Sequence, residues 1–193
     1  MPKTPIALIL AAGLSRRMGR DHKLLLRQKG MTIIERTTCA FIQAGFEDIT
    51  VITGYGHEQI ESCLAKMPVH FIYNADYREG MATSIRAGMH SVTGDFSICP
   101  GDLPWLQSTT VRTLKCAWQA RDLTRHRVLI PVFEQQFGHP VFFAQDLAPS
   151  LHALRGDVGA RNLLRALVDS DHALLLEVED PGILRDVDTP QDL

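Results

Sequence analysis

An unbroken aliphatic run at residues 6–10 leads into Ala11-Ala12-Gly13, and a basic stretch through Arg16, Arg17 and Lys23 follows. This junction limits the fold more than any other feature. A β-branched and aliphatic run of that length suits a strand covered on both faces, as at the centre of a parallel sheet. Ala11, Ala12 and Gly13 have almost no side chain, so a bulky ring can approach their backbone closely. Arg17 and Lys23 follow where the phosphates of a nucleotide could lie. Arginine grips phosphate as a planar fork, and lysine acts as a mobile point charge. Two familiar nucleotide motifs do not fit. No Lys-Ser or Lys-Thr follows Gly19, so this is not a P-loop. The spacing is not Gly-x-Gly-x-x-Gly either, so a dinucleotide fold of the usual kind is unsupported. Taken alone, the junction describes a glycine turn with surface charges equally well.

The rest of the chain alternates strand and helix patterns. Strands are expected at residues 6–10, 49–53, 69–72, 95–99, 127–131, 141–143 and 172–178. Helices are expected at 32–44, 58–66, 81–90, 108–120 and 157–168, with Ser108 or Thr109 near the cap of the fourth. This alternation predicts an α/β fold with a doubly wound, mostly parallel sheet. Between 127 and 143 strand follows strand, which predicts a local antiparallel excursion. At 193 residues the chain is expected to form a single domain over 1–193.

Composition excludes several classes. The net charge of -2 gives no basic surface for nucleic acid. No apolar run is long enough for a bilayer, and the start does not read as a secretory signal. Cys39, Cys63, Cys99 and Cys116 are scattered, which predicts reduced, mostly buried thiols in a cytoplasmic protein rather than zinc ligands or disulfides. The eight histidines form no His-x-x-x-His pair.

Three further segments carry chemistry. In Cys99-Pro100-Gly101-Asp102-Leu103-Pro104, a carboxylate sits at a strand end framed by a glycine and two prolines. Such a group can hold magnesium, which keeps water and substrate phosphates as its other ligands. It can equally cap a turn. Ligands in open α/β sheets bind beyond the carboxyl ends of strands, so Gly13 and Asp102 should share one edge. Asp186 and Asp188 lie two apart and would face one way in an extended segment, where one could join Asp102 at a metal. They could instead favour a helix start beside Pro190. Gly80 permits close backbone approach, and Thr83 and Ser84 offer hydroxyls near a helix start. Plain capping explains them equally well.

Together these segments resemble the molybdenum cofactor cytidylyltransferase family, with its MobA-like NTP transferase domain. The resemblance runs through Leu10 to Gly19 with Lys23, Gly80-Met81 with Ser84, and Gly101-Asp102 with Pro104. It continues through Gly138-His139-Pro140, Gly156-Asp157 with Gly159-Ala160-Arg161, and Asp186 with Asp188-Thr189-Pro190. It covers nearly the whole chain, and six motifs in order are specific where each alone is weak. It implies a Rossmann-like sheet of the nucleotide-diphospho-sugar transferase type. The implied activity is Mg²⁺-dependent transfer of a nucleotidyl group, CMP from CTP, to a molybdopterin-type acceptor, with pyrophosphate released.

The resemblance also implies roles. Leu10, Ala11, Ala12, Gly13, Gly80 and Ser84 would hold the nucleotide. Arg17, Lys23 and Asp102 would be catalytic and would also contact it. Asp102 and Asp188 would bind the metal, with Asp186 the alternative to Asp188. Gly138, His139, Pro140 and Asp157 would face the acceptor. The guanylyl branch usually carries Leu-Ala-Gly-Gly, so the methyl of Ala12 favours CTP. A sugar or polyol phosphate acceptor is the alternative. A cofactor carrier or insertion chaperone for a molybdenum hydroxylase is another, with that hydroxylase as the partner protein.

Overall fold

The computed structural model describes residues 4–14, 22–156, 159–187 and 192. The chain begins with β1 (Ile6–Ala11) and passes through a small hairpin, β2 (Arg27–Gln28) and β3 (Met31–Thr32), into α1 (Ile33–Gln43). Then come β4 (Ile49–Thr53), α2 (His57–Leu64), β5 (His70–Tyr73), α3 (Met81–Met89), β6 (Phe96–Pro100) and α4 (Ser108–Ala120). The last part comprises β7 (Val128–Phe133), β8 (Gln136–Phe137), β9 (Val141–Phe143), α5 (Ala148–His152), α6 (Arg161–Asp169) and β10 (Ala173–Glu177).

The main sheet has the order β10-β7-β9-β6-β1-β4-β5, with β8 paired to β7. β1 is parallel to both neighbours, pairing Leu10 with Ile52 on β4 and with Pro100 on β6. β9 is antiparallel to β6 and to β7. It is the expected excursion, and the sheet is otherwise the mostly parallel one that the alternation predicts.

Because β1 is covered on both faces, its side chains divide between two cores. Ala7, Ile9 and Ala11 join Ile33, Ile34 and Phe41 of α1 and Val111, Leu114 and Trp118 of α4. Ile6 and Leu8 join Ile85 and Met89 of α3 and Leu151 of α5. Helices thus sandwich the sheet. α1 starts where Thr32 forms a capping box: its hydroxyl accepts from the Glu35 N–H, and the Glu35 carboxylate accepts from the Thr32 N–H.

Some sequence readings are corrected. Neither Ser108 nor Thr109 caps α4. Gln107 holds that position, and its N–H donates to the Asp180 carboxylate at 3.0 Å. Among the cysteines only Cys99 is fully buried; Cys39 and Cys63 are half-buried and Cys116 is exposed, all four with free thiols. The hairpin before α1 and the short α5 have no counterpart in the sequence pattern. The helix expected from residue 157 begins at Arg161. Among the described residues no helix is long and apolar enough to cross a membrane.

Candidate active site

The carboxyl ends of β1 and β6 lie side by side, and the Gly101 N–H donates to the Leu10 carbonyl at 2.9 Å. A Cβ at residue 101 would lie 2.8 Å from Ile34 Cδ1 and 3.0 Å from that same carbonyl, so any larger residue would crowd both. α1 holds the loop from below. Thr37 donates its hydroxyl hydrogen to the Gly101 carbonyl, and Arg36 Nε donates to the Pro104 carbonyl. From the far end of the chain, the Val187 N–H donates to the Asp102 carbonyl at 3.1 Å. Asp102 is therefore fixed at the strand edge by three separate elements.

Lys23 meets it there. Its ammonium donates to Asp102 Oδ2 at 2.6 Å, and both side chains are mostly buried. The second carboxylate oxygen, Oδ1, is buried with no hydrogen-bond partner. A buried lone carboxylate oxygen is costly unless something binds it. A hard cation is the natural complement of an acceptor-only atom, so Asp102 suits a divalent metal. Among the described residues no three His, Cys, Asp or Glu side chains converge on a metal-sized site. Asp186 is exposed and does not line the cavity. Asp188 lies outside the described residues, as do Arg17 and Asp157.

Asp102 and Lys23 open into a cavity of about 1380 Å³, whose lining includes Leu10, Ala12, Gly13, Gly80 and Ser84. That exceeds the range of about 300–1000 Å³ usual for small-molecule sites. Ala11 is not part of the wall. Its methyl belongs to the core on the α1 side of the sheet. Ala12 is 3% exposed, and its methyl sits where a Cβ on Gly54 would come within 2.7 Å. The methyl thus packs against the β4 turn, and any steric effect on a bound base runs through the spacing of these two backbones. Gly13 has nothing within 4 Å of a built Cβ and faces open space.

Gly80 precedes α3 with φ of 115°, in the region that favours glycine. Ser84 accepts from Asn74 Nδ2 at 3.1 Å and keeps an edge in the cavity. Thr83 follows the capping alternative of the sequence reading. Its hydroxyl bonds the Gly80 and Asp76 carbonyls and accepts from Asn74, so it shapes the turn and is not offered to a ligand.

Across the cavity lie Gly138 and His139. The His139–Pro140 peptide is cis, and Pro140 is buried outside the lining. Burial pushes the His139 imidazole below its ordinary pKa, while the nearby Asp102 charge and an Ile98 backbone contact pull the other way. Its Nδ1 is buried without a partner.

Sequence reasoning missed two features. Asp180 is buried and accepts from the N–H groups of Gln107 and Gly182, clamping the Asp102 loop to the C-terminal segment. The Asp180-Pro181-Gly182 turn was the available signal. The second is His22, whose ring stacks on Tyr55 and whose Nε2 lies 2.9 Å from the Tyr55 carbonyl. It anchors the residue just before Lys23.

A nucleotide-sized cavity at the carboxyl edge of a parallel sheet, with a lysine–carboxylate pair at its base, defines an α/β nucleotidyltransferase. Residues 7–172 match the MobA-like NTP transferase domain, and the chain belongs to that family. It is 30% identical over 187 residues to the molybdenum cofactor cytidylyltransferase of Escherichia coli K12, covering 96% of this chain and 91% of that one. It is 28% identical to a protein of Paenarthrobacter nicotinovorans named nicotine blue oxidoreductase, covering 96% and 93%. A nucleotidyl transferase from Methanothermobacter has the same fold, with a TM-score of 0.83 and 25% identity over 98% of this chain and 94% of that one.

Proposed function

We propose that this nucleotidyltransferase moves CMP from CTP to the terminal phosphate of an acceptor of the molybdopterin type. An acceptor phosphate oxygen attacks the α-phosphorus in line. The new O–P bond forms as the bond to the β-phosphate oxygen breaks, and pyrophosphate leaves. Such a reaction needs positioning and charge neutralisation, with no protein nucleophile.

The observation that carries this reading is the Lys23–Asp102 pair, with Asp102 Oδ1 buried and unpartnered at the base of a large cavity. Lys23 contacts the triphosphate and offsets charge that develops on it. Asp102 and Asp188 hold the magnesium ion, which when bound neutralises phosphate charge. Arg17 adds a second cation to the triphosphate. Leu10 through Gly13 and Gly80 offer backbone to the base and ribose, and Ser84 offers its hydroxyl. Gly138, His139, Pro140 and Asp157 frame the acceptor end.

The choice of CTP draws on the Escherichia coli relative and on Ala11-Ala12-Gly13. The oxidoreductase name of the Paenarthrobacter relative is a reminder that one fold hosts several chemistries. The deciding experiment is pyrophosphate release from CTP, GTP, ATP and UTP with magnesium, with and without molybdenum cofactor. The expected result is release that requires CTP, cofactor and metal together. Release that prefers GTP overturns the nucleotide. Release with a sugar phosphate but not with the cofactor overturns the acceptor.

A further inference from the structure

Phe137 is the anomaly of the cavity wall. It is a large apolar residue, 50% exposed, and it is one of the residues that line the cavity. Its frame is rigid. Phe137 pairs with Val132 across a two-residue turn in which Glu134 and Gln135 both have positive φ, the geometry of a tight β-hairpin. On the other side, the Gly138 N–H donates to the Pro131 carbonyl at 2.9 Å, and the His139 N–H donates to the Ile183 carbonyl at 3.0 Å. A Cβ at residue 138 would lie 2.6 Å from Ile183 Cδ1, so the hairpin sits hard against its support. An exposed aromatic residue that lines a cavity from a paired hairpin offers a stacking surface.

The surroundings narrow what it would stack on. Beside it the cavity continues over the apolar side chains of Ile130 and Val141. α6 also lines the cavity, contributing Leu164 and Val168 beside the polar Asn162 and Asp169, and has no fully buried residue. A hydroxyl-rich sugar would leave polar groups unpaired against this floor. Arg161 and Arg165, one helical turn apart, also line the cavity, and neither forms an ion pair among the described residues. A flat ring that carries an anionic group matches both the floor and the wall.

We infer that Phe137 sets acceptor specificity by stacking on a flat heteroaromatic ring, with Arg161 and Arg165 facing the acceptor's charge. This deepens the nucleotidyl-transfer reading and rests on it for the word acceptor. The nucleotide's own base is the other possible source of a flat ring. It belongs at the β1 and β6 ends, whereas Phe137 lies on the β7 side.

The test is a titration that needs no turnover. Pterin-6-carboxylate serves as a flat anion and glucose 1-phosphate as a phosphate without a flat ring. Each is added to the wild type, Phe137→Ala and Phe137→Trp, and CTP affinity is measured in parallel. Phe137→Ala should weaken pterin-6-carboxylate about tenfold, in line with the loss of one stacked ring, and leave CTP affinity unchanged. Phe137→Trp should keep the affinity, and its new indole emission should be quenched by the pterin alone. Equal pterin affinity in wild type and Phe137→Ala overturns the inference. So does a loss of CTP affinity in Phe137→Ala, a preference for glucose 1-phosphate, or a wild type that binds neither probe. Failure of pyrophosphate release from CTP would instead strike the proposed reaction and leave this titration readable.

Discussion

Lys23 and Asp102 are 79 residues apart in the chain, yet the ammonium of one lies 2.6 Å from a carboxylate oxygen of the other. The pairing leaves Asp102 one free oxygen and brings the lysine charge beside it. Asp102→Asn keeps the shape and removes the charge. It should reduce turnover by about 10²–10³, the size seen when one preorganised electrostatic contact is lost. Lys23→Met should cost about 1.5–3 kcal/mol as a lost charged hydrogen bond. Because the two touch, the double variant should fall short of the sum of the single effects by at least about 0.5 kcal/mol. Pyrophosphate release rates for the four proteins test this. Strict additivity, or a near-normal rate in Asp102→Asn, removes the pair from catalysis.

Much of this arrangement was legible in the sequence because local signals agreed. The β-branched, aliphatic run before Ala11 suited a covered strand. Pro100-Gly101-Asp102 marked the end of β6, and the alternation rule put both ends on one edge. The rest depended on contacts across the chain. Asp180 caps α4 from 73 residues away, so no local pattern could replace Ser108 by Gln107 at that cap. The β7–β8 hairpin turns through Glu134 and Gln135 in left-handed backbone, without the glycine or asparagine that usually announces such a turn. Phe137 therefore read as loop. The strand's period of two turns the Ala11 methyl into the core on the α1 side, so any part Ala11 plays at the nucleotide is one for its backbone.

The Asp180 clamp gives a stability prediction. Its carboxylate is 2% exposed and accepts from two backbone N–H groups, at 3.0 Å from Gln107 and 2.8 Å from Gly182. Asp180→Ala strands both donors. At about 1–3 kcal/mol for each unsatisfied buried group, the total loss should be about 2–6 kcal/mol. For a chain of this size that lowers Tm by roughly 4–24 °C. Asp180→Asn keeps an acceptor for one donor and should lose about half as much. Thermal melts of the three proteins decide it, and an unchanged Tm in Asp180→Ala would show that water replaces the carboxylate without cost.

His22 predicts a pH dependence. Burial lowers its pKa from the ordinary 6.5, the Tyr55 carbonyl contact opposes that shift, and the Lys23 charge adds to it. Its Nδ1 is buried without an acceptor, so a second ring proton has nowhere to bond. The folded state therefore binds this proton more weakly than the unfolded chain. Stability is full above pH 6.5 and declines as pH falls toward the depressed folded value. His22→Phe keeps a ring against Tyr55 and has no proton to take up. It should be less stable at pH 7.5 but lose less on acidification to pH 5. Equal slopes for the two proteins across that window would leave His22 with no part in the pH response.

Ala12 and Gly54 give a prediction about the nucleotide end. A Cβ on Gly54 would stand 2.7 Å from Ala12 Cβ and 2.7 Å from Tyr77 Cβ. Gly54→Ala must therefore push the β1 end away from the β4 turn. Overpacking of this kind costs about 1–3 kcal/mol of stability. It should also weaken nucleotide binding, because Ala12 and Gly13 line the cavity. Adding Ala12→Gly removes one of the two close contacts and leaves the Tyr77 one, so the double variant should recover only part of both losses. Ala12→Gly alone leaves a gap where a buried methyl had been. Its effect on the CTP to GTP ratio of specificity constants should stay below about tenfold, since one methyl is worth about 1–3 kcal/mol even in direct contact. Calorimetry and nucleotide titration on the four proteins are the measurements. A double variant no better than Gly54→Ala would mean that Tyr77, not Ala12, sets the spacing. A shift of a hundredfold toward GTP in Ala12→Gly would mean that the methyl touches the base directly.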